Sequence, residues 1–284
     1  MQITMKYPIF LVAILSVTLR SWLVSGVSVE EDLTLTASQK RALDRFKAKV
    51  INKLPENFMK QDIYLIRFLR AKSFDVNMAE NLLLDDIKWR KENSISRIHE
   101  EDFSDVEEDY KAYVESFDRE GKPIITANFG DWDIRKAVIS GRMRRLEHYI
   151  DRTFEIATRK VRQLQAQGKN VTQWDYIINM NNYNVLQHGC VPCLPFYIYL
   201  VNSYEKHFPG NADKIMLINT PPVFEVVLSV IRPLMSPLTR RALKVYNQDK
   251  SQWQPQLFKY VSPSELPPEY GGTKIYTGDF EIKT

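Results

Sequence analysis

The sequence predicts an α/β protein in which an N-terminal three-helix bundle precedes a mostly parallel sheet with flanking helices. Three observations predict it. Apolar residues recur at helical spacing through the first hundred residues, and the texture changes to short strands after Tyr113. From there strands and helices alternate, an order that builds a parallel sheet because each crossover must return the chain to the same end. The 284 residues are 44% hydrophobic and 26% charged, too apolar for a disordered chain and enough for one large domain or a large and a small one.

In the first helix, Ala42, Leu43, Phe46, Val50 and Leu54 mark one face between Ala37 and Leu54, and Pro55 stops the pattern. A second helix spans Ile63 to Ala71. A third begins at Asp75, a good N-cap, and runs to about Asn93 with Ala79, Leu82, Leu83, Ile87 and Trp89 inward. The acidic stretch Glu100 to Asp109 reads as a solvated connector. Val114 to Phe117 and Pro123 to Phe129, joined by Asp118-Arg119-Glu120-Gly121, read as a β-hairpin. Met143 to Gln167 is a long amphipathic helix with its stripe through Leu146, Ile150, Phe154, Ala157, Val161 and Leu164; Arg145, Arg152 and Arg159 lie opposite, on a face read as solvated.

Then come a strand (Gln173 to Asn179), a helix (Pro195 to His207), a strand (Lys214 to Asn219), a helix (Val223 to Met235), a strand (Ala242 to Tyr246) and a helix (Gln254 to Tyr260). The implied organisation is a leader at 1–26, a helical domain at 27–99, an acidic connector at 100–112, an α/β domain at 113–273 and a tail at 274–284.

Lys6, the apolar run Tyr7 to Leu19 and the small residues Val24-Ser25-Gly26 fit a secretory signal peptide, although Arg20 sits awkwardly between run and exit. The run is short of the roughly 20 residues that a membrane span needs. A cleaved leader, an uncleaved anchor and an upstream extension of a cytoplasmic, peripherally membrane-bound chain are the three readings. Cleavage would place the protein in the secretory route or outside the cell, with Asn170, in Asn170-Val171-Thr172, open to glycosylation. The net charge is +4, and a leader carrying Lys6, Arg20 and no acid lowers it by two, so no nucleic-acid partner is expected.

Cys190 and Cys193 form one C-V-P-C. A zinc site needs two more ligands, and only His188 is near, so buried or loop thiols are the expectation; an oxidising compartment would allow the pair to close a small loop. No metal or catalytic residue is expected. The chain has no G-x-S-x-G, P-loop, G-x-G-x-x-G or H-E-x-x-H, and Asp131 and Asp133 read as turn and capping residues. One segment stands apart: Pro222 to Ile231 is apolar nearly all round, where a surface helix shows a polar face.

Two stretches give that segment a meaning. Leu65-Ile66-Arg67-Phe68-Leu69-Arg70-Ala71-Lys72-Ser73-Phe74-Asp75-Val76, continuing to Lys88-Trp89-Arg90, resembles the N-terminal signature of the CRAL-TRIO family, relatives of the cellular retinaldehyde-binding, α-tocopherol-transfer and phosphatidylinositol-transfer proteins. So does the series from Tyr204-Glu205-Lys206-His207-Phe208-Pro209 through Ile218-Asn219-Thr220-Pro221 and Ile231-Arg232-Pro233-Leu234 to Leu266-Pro267-Pro268-Glu269-Tyr270-Gly271-Gly272. The resemblance implies a CRAL-TRIO lipid-binding domain whose pocket is floored by the sheet and closed by a mobile apolar gate helix, here Val223 to Met235. It implies no enzyme and no cofactor, only a bound hydrophobic ligand and transient contact with a membrane surface; the alternative is a regulatory or scaffold module acting through protein contacts.

Strand alternation puts Trp174, Tyr176 and Ile178 on one face, taken as the pocket face, and the gate adds Phe224, Val227, Leu228, Ile231 and Met235. The headgroup-binding Glu and Lys of phosphatidylinositol-binding members align with Gly210 and Ala242. The Ser and Thr of phosphatidylcholine-binding members align with Trp174 and Tyr176, and the usual Asp-x-x-Gly has become Asn179-Met180-Asn181-Asn182. The resemblance therefore points to a retinoid, tocopherol, sterol-like or acyl lipid.

Overall fold

A computed structural model describes residues 29–278; the leader at 1–26 and the end of the tail lie outside the described residues. The helical part comprises α1 (Val29–Leu33), α2 (Ala37–Val50), α3 (Asp62–Ala71) and α4 (Val76–Glu92). Thr36 and Gln39 form a capping box at α2, and the Asp75 carboxylate accepts from the amides of Asn77 and Met78 (both 2.9 Å), which fixes the start of α4. Helix α2 ends before Leu54, in a 3-10 turn over Ile51–Lys53 ahead of Pro55. Leu43, Phe46, Leu65, Phe68, Ala79 and Leu83 form its core, whereas Leu82, Ile87 and Trp89 are only half-buried.

The second part is a five-stranded sheet ordered β1-β2-β3-β4-β5: β1 (Ala112–Phe117), β2 (Pro123–Ala127), β3 (Trp174–Asn179), β4 (Ala212–Ile218) and β5 (Leu243–Val245). The β1–β2 hairpin is antiparallel and every other pairing is parallel, as the α/β alternation predicts. Helix α5 (Ser104–Glu107) precedes the strands, α6 (Ile134–Ile139), α7 (Met143–Ala166), α8 (Leu194–His207), α9 (Glu225–Ile231) and α10 (Pro237–Ala242) run between them, and α11 (Lys250–Tyr260) follows. Short α6 has no sequence signal beyond its cap, the Asp133 carboxylate accepting from the Lys136 amide at 2.8 Å.

One expectation fails here: the basic face of α7 is not a solvated surface, because acids of the 100–109 stretch, themselves mostly exposed as expected, pair with it. Arg145 pairs with Glu101 and Asp105, Arg152 with Glu107, and His148 with Glu101. Arg152 is buried as a result. The two cysteines are likewise joined, Cys190 to Cys193 (Cα–Cα 5.0 Å), since the turn that enters α8 brings them within bonding range.

The residues of the first resemblance stretch turn out to be clamps between the two parts. Buried Arg67 donates to Asp32 (2.6 and 3.1 Å), to the Gly210 carbonyl (2.6 Å) and to the Thr172 carbonyl (2.8 Å). Arg90 and Arg162 both bond Glu155 at 2.7 Å, and the Trp89 ring stacks on His207 at 3.6 Å. Each buried charge is thus answered, the condition for tolerating it. Residues 274–278 are no loose tail: Tyr276 bonds Ser116 (2.8 Å) and Thr126 (3.1 Å), while the amides of Thr277 and Gly278 donate to Glu115.

Candidate functional site

The site lies on the sheet face covered by α7, α8 and α9. Alternation along β3 sends Trp174, Tyr176 and Ile178 to this face. The parallel register pairs Tyr176 with Ile215 and Ile178 with Leu217, so β4 contributes in phase. Phe154 of α7 stacks on Trp174 (ring centroids 5.6 Å apart, 13° between planes), and Tyr204 of α8 meets the same indole edge-on at 5.8 Å. The indole nitrogen donates to the Thr158 hydroxyl at 3.1 Å, so the ring is anchored at both its polar and apolar ends.

Helix α9 lies over the cavity. A 3-10 turn over Pro222–Phe224 leads into it and another over Arg232–Leu234 follows, so the predicted single helix is split where Pro233 cannot continue the α-helical ladder. Phe224, Leu228, Ile231 and Met235, at steps of four, three and four, face inward and line the cavity with the three β3 residues. Val227 is buried beside them but does not line the cavity: it lies on the flank of that stripe and packs into the surrounding core. The opposite side of the same helical run carries Val223, Val226, Val230 and Leu234, all exposed, with Val226 66% accessible.

The cavity holds about 80 Å³, and no polar atom reaches its surface. Small-molecule pockets commonly run to about 300–1,000 Å³. A larger groove of about 690 Å³ runs between α1, α3 and the end of α7, but Arg159, Arg162 and Lys169 line it and it is open to water. The sequence reading missed the lining from α8 (Tyr197, Leu200, Val201) and from Phe129, Phe154 and Met180. The spacing 197, 200, 201, 204 is a helical stripe that would have flagged the α8 group.

Charge is managed by position. Asp151 of α7 is buried between α7 and α8, where the hydroxyls of Tyr199 and Ser203 donate to it (both 2.6 Å); burial pushes its carboxyl up to about 7 against those two bonds. His188 is fully buried, its ring nitrogens engaged by Asn184 and by the Phe129 carbonyl, and burial lowers its pKa. Asp131 accepts from Asn182 (2.9 Å) in the turn role expected of it. The two positions that hold a headgroup in phosphatidylinositol-binding members do other work: the Gly210 carbonyl takes the Arg67 clamp, and Ala242 ends α10. Asn170 is exposed at the end of the turn after α7. Among the described residues no helix is long and apolar enough to cross a membrane.

Fold and site together define an α/β domain with an apolar cavity on one face of its sheet, and comparison with known proteins identifies its family. The CRAL/TRIO domain model matches residues 107–272, and the chain belongs to that family. Patellin-3 of Arabidopsis thaliana is 28% identical over 219 residues, covering 76% of this chain and 44% of that protein. Protein real-time of Drosophila pseudoobscura pseudoobscura is 23% identical over 226 residues, 78% of this chain and 34% of its own. The chain thus spans less than half the length of these curated relatives. The crystal structure of Sfh5 shares the fold, with a TM-score of 0.66 at 16% identity over 84% of this chain and 88% of its own.

Proposed function

We propose that this chain is a non-enzymatic carrier that binds a small hydrophobic lipid beneath α9 and exchanges it at membranes. The observation that carries the reading is a cavity with a wholly apolar surface, covered by a helix whose inner side is apolar and whose outer side exposes Val223, Val226, Val230 and Leu234 beside the Glu225–Arg232 ion pair. Such a surface rewards burial of an apolar molecule and offers nothing to a charged headgroup, which supports a retinoid, tocopherol, sterol-like or acyl cargo over a phosphoinositide.

At about 80 Å³ the cavity is too small for any of these, so loading requires α9 to lift and the ring cluster to repack. In water that movement exposes apolar area at a cost of about 25 cal/mol per Å². Against a bilayer the cost vanishes, so the membrane itself biases the lid towards opening. The apolar leader, the joined cysteines and the exposed Asn170 support passage through an oxidising secretory route.

Native mass spectrometry of the purified protein should reveal a co-isolated hydrophobic molecule. Leu228→Asp or Ile231→Asp should abolish its retention and its transfer between liposomes while far-UV circular dichroism is kept. Wild-type protein that neither carries nor takes up retinoids, tocopherols or acyl lipids would overturn the reading. N-terminal sequencing and a glycosidase-sensitive mass at Asn170 test the route.

A further inference from the structure

The cysteine pair stands where thiol chemistry can reach the cavity wall. Strand β3 ends at Asn179, a 3-10 turn over Val191–Cys193 follows the connection, and Cys193 is the N-cap of α8. The two sulfurs differ in access. Cys190 is half-buried beside the exposed Val191 and Pro192, whereas Cys193 is fully buried. A disulfide stabilises a fold mainly by restricting the unfolded chain, and the effect grows with the length of the loop it closes. Cys190 and Cys193, three positions apart, close a loop of the kind that gains least. The bond therefore adds little as a staple of the whole fold.

What the bond does hold is close to α9. Tyr197, one turn after Cys193 on α8, lines the cavity. Its hydroxyl donates to the carbonyl of His188, two residues before Cys190, at 3.1 Å. The disulfide and this hydrogen bond together tie the end of the β3–α8 connection to the first two turns of α8. The rings of Tyr183 and Tyr197 meet Phe224 edge-on, with centroids 5.2 and 6.0 Å away. Phe224 begins the cavity-facing stripe of α9, and Cys193 is buried in the same apolar cluster as all three rings. Packed side chains thus run from the bond through Tyr197 to both the cavity and the segment that covers it.

We propose that Cys190–Cys193 is an exchangeable bond, opened by a dithiol reductant, and that opening it loosens α9 over the cavity. A thiolate of the reductant attacks Sγ of Cys190, the sulfur that solvent reaches, and forms a mixed disulfide. The protein S–S bond breaks and its electron pair leaves on Sγ of Cys193, at the positive end of the α8 dipole. The second thiolate of the reductant then attacks its own sulfur in the mixed disulfide and expels the Cys190 thiolate. The reductant ends as a disulfide, and its two protons end on the protein thiols. Cys190 is then free to turn into water, Cys193 stays buried beside the Gln187 carbonyl (3.8 Å), and the first turn of α8 has lost its covalent tie. The consequence for cargo rests on the carrier reading: the closed bond favours retention, and a dithiol favours release.

The test holds the full chain, folded, in reduced or oxidised dithiothreitol. Thiols are counted by maleimide mass-tagging after an acid quench, backbone amides are followed by hydrogen exchange, and bound retinol by its fluorescence. Two thiols should appear in the reduced reagent and disappear again in the oxidised one. In the folded single variants, Cys190 of Cys193→Ser should take a tag at least tenfold faster than Cys193 of Cys190→Ser. Reduction of the wild type should speed amide exchange in the first turn of α8 and in α9 at least fivefold, and retinol release at least threefold. Cys190→Ser/Cys193→Ser should behave as the reduced wild type and ignore the reagent. A bond that opens only when the protein is unfolded overturns the exchange, and unchanged amide exchange in reduced wild type overturns the loosening. Faster amide exchange in a protein that neither carries nor takes up any of the proposed lipids would defeat the carrier reading and leave the redox device standing.

Discussion

The two faces of the sheet are built on opposite plans. On the face away from α9, helix α11 presses Trp253 and Leu257 onto Ile124, Ile177, Met216 and Ile218, and the Trp253 indole donates to Asn219 at 2.9 Å. At the start of the parallel strands this face also buries an ion cluster. Lys122 and Lys214 both reach Asp213, at 2.6 and 2.5 Å, and Lys214 approaches Asp118 and Asp175 at 3.8 Å. On the face under α9 the rings touch one another around the cavity, the ties lie at its margins (the Trp174 indole to Thr158, and Glu155 of α7 to Arg90 and Arg162), and Asp151, buried between α7 and α8, is met by the hydroxyls of Tyr199 and Ser203. The difference teaches how a small domain can hold a changeable interior. Directional, charge-assisted contacts lock one side, so that the other can rely on apolar contacts that re-form in more than one arrangement.

The largest effect should come from breaking the locked side. Asp213→Ala leaves Lys122 and Lys214 buried beside fewer carboxylates, and removing one partner of a buried ionic group typically costs about 3–5 kcal/mol. Equilibrium denaturation should show that loss. A change below about 1 kcal/mol would mean that the cluster is not what holds this face. On the α9 side, Leu228→Ala should cost about 2 kcal/mol, the low end for a buried leucine, because the neighbouring cavity lets the site collapse.

A third prediction uses the buried carboxyl between α7 and α8. Asp151 has a folded pKa of about 7, above the ordinary value of 3.8, so the folded protein holds a proton that the unfolded chain has released. Stability should therefore fall as pH rises from 5 to 7, with a slope of at most about 1.4 kcal/mol per pH unit. Burial also pushes Asp175 up, to about 8, which adds a slope of the same sign that continues past 7. Asp151→Asn should reduce the slope between pH 5 and 7 to what Asp175 supplies and leave the later part in place. An unchanged slope in that variant would assign the whole effect to the opposite face.

Much of this contrast was legible in the chain, and the part that was not has a common cause. Alternation set Trp174, Tyr176 and Ile178 apart from Asp175 and Ile177, and all-round apolarity singled out the α9 segment, because both are properties of a few neighbouring residues. What escaped depends on partners distant in sequence. Whether Arg145 and Arg152 are solvated or paired is decided by residues about forty positions earlier. That Asp213 and Lys214 act in one cluster depends on an irregularity in the β3–β4 pairing, where two steps of β3 face three of β4. Val227 was assigned to the cavity from its place on an apolar helix, but its burial against core and not cavity is set by how α9 is rotated over the sheet.

The smallest effect on stability is the most informative about the lid. Val226 stands on the outer side of α9, 66% accessible, three residues before Ser229 and four before Val230, in neither the cavity nor the core. Val226→Ser should change unfolding free energy by no more than about 0.5 kcal/mol, as exposed substitutions generally do. The same change removes apolar surface from the side proposed to meet a bilayer, so lipid transfer between liposomes should slow while lipid retention in solution is kept. The pair Val226→Ser and Leu228→Ala then separates the two sides of one helix: the outer substitution acts only where a membrane is present, and the inner one acts in its absence as well. If both variants altered stability and transfer in proportion, α9 would be an ordinary core helix, and the contrast between the two faces of the sheet would be one of composition without a working lid.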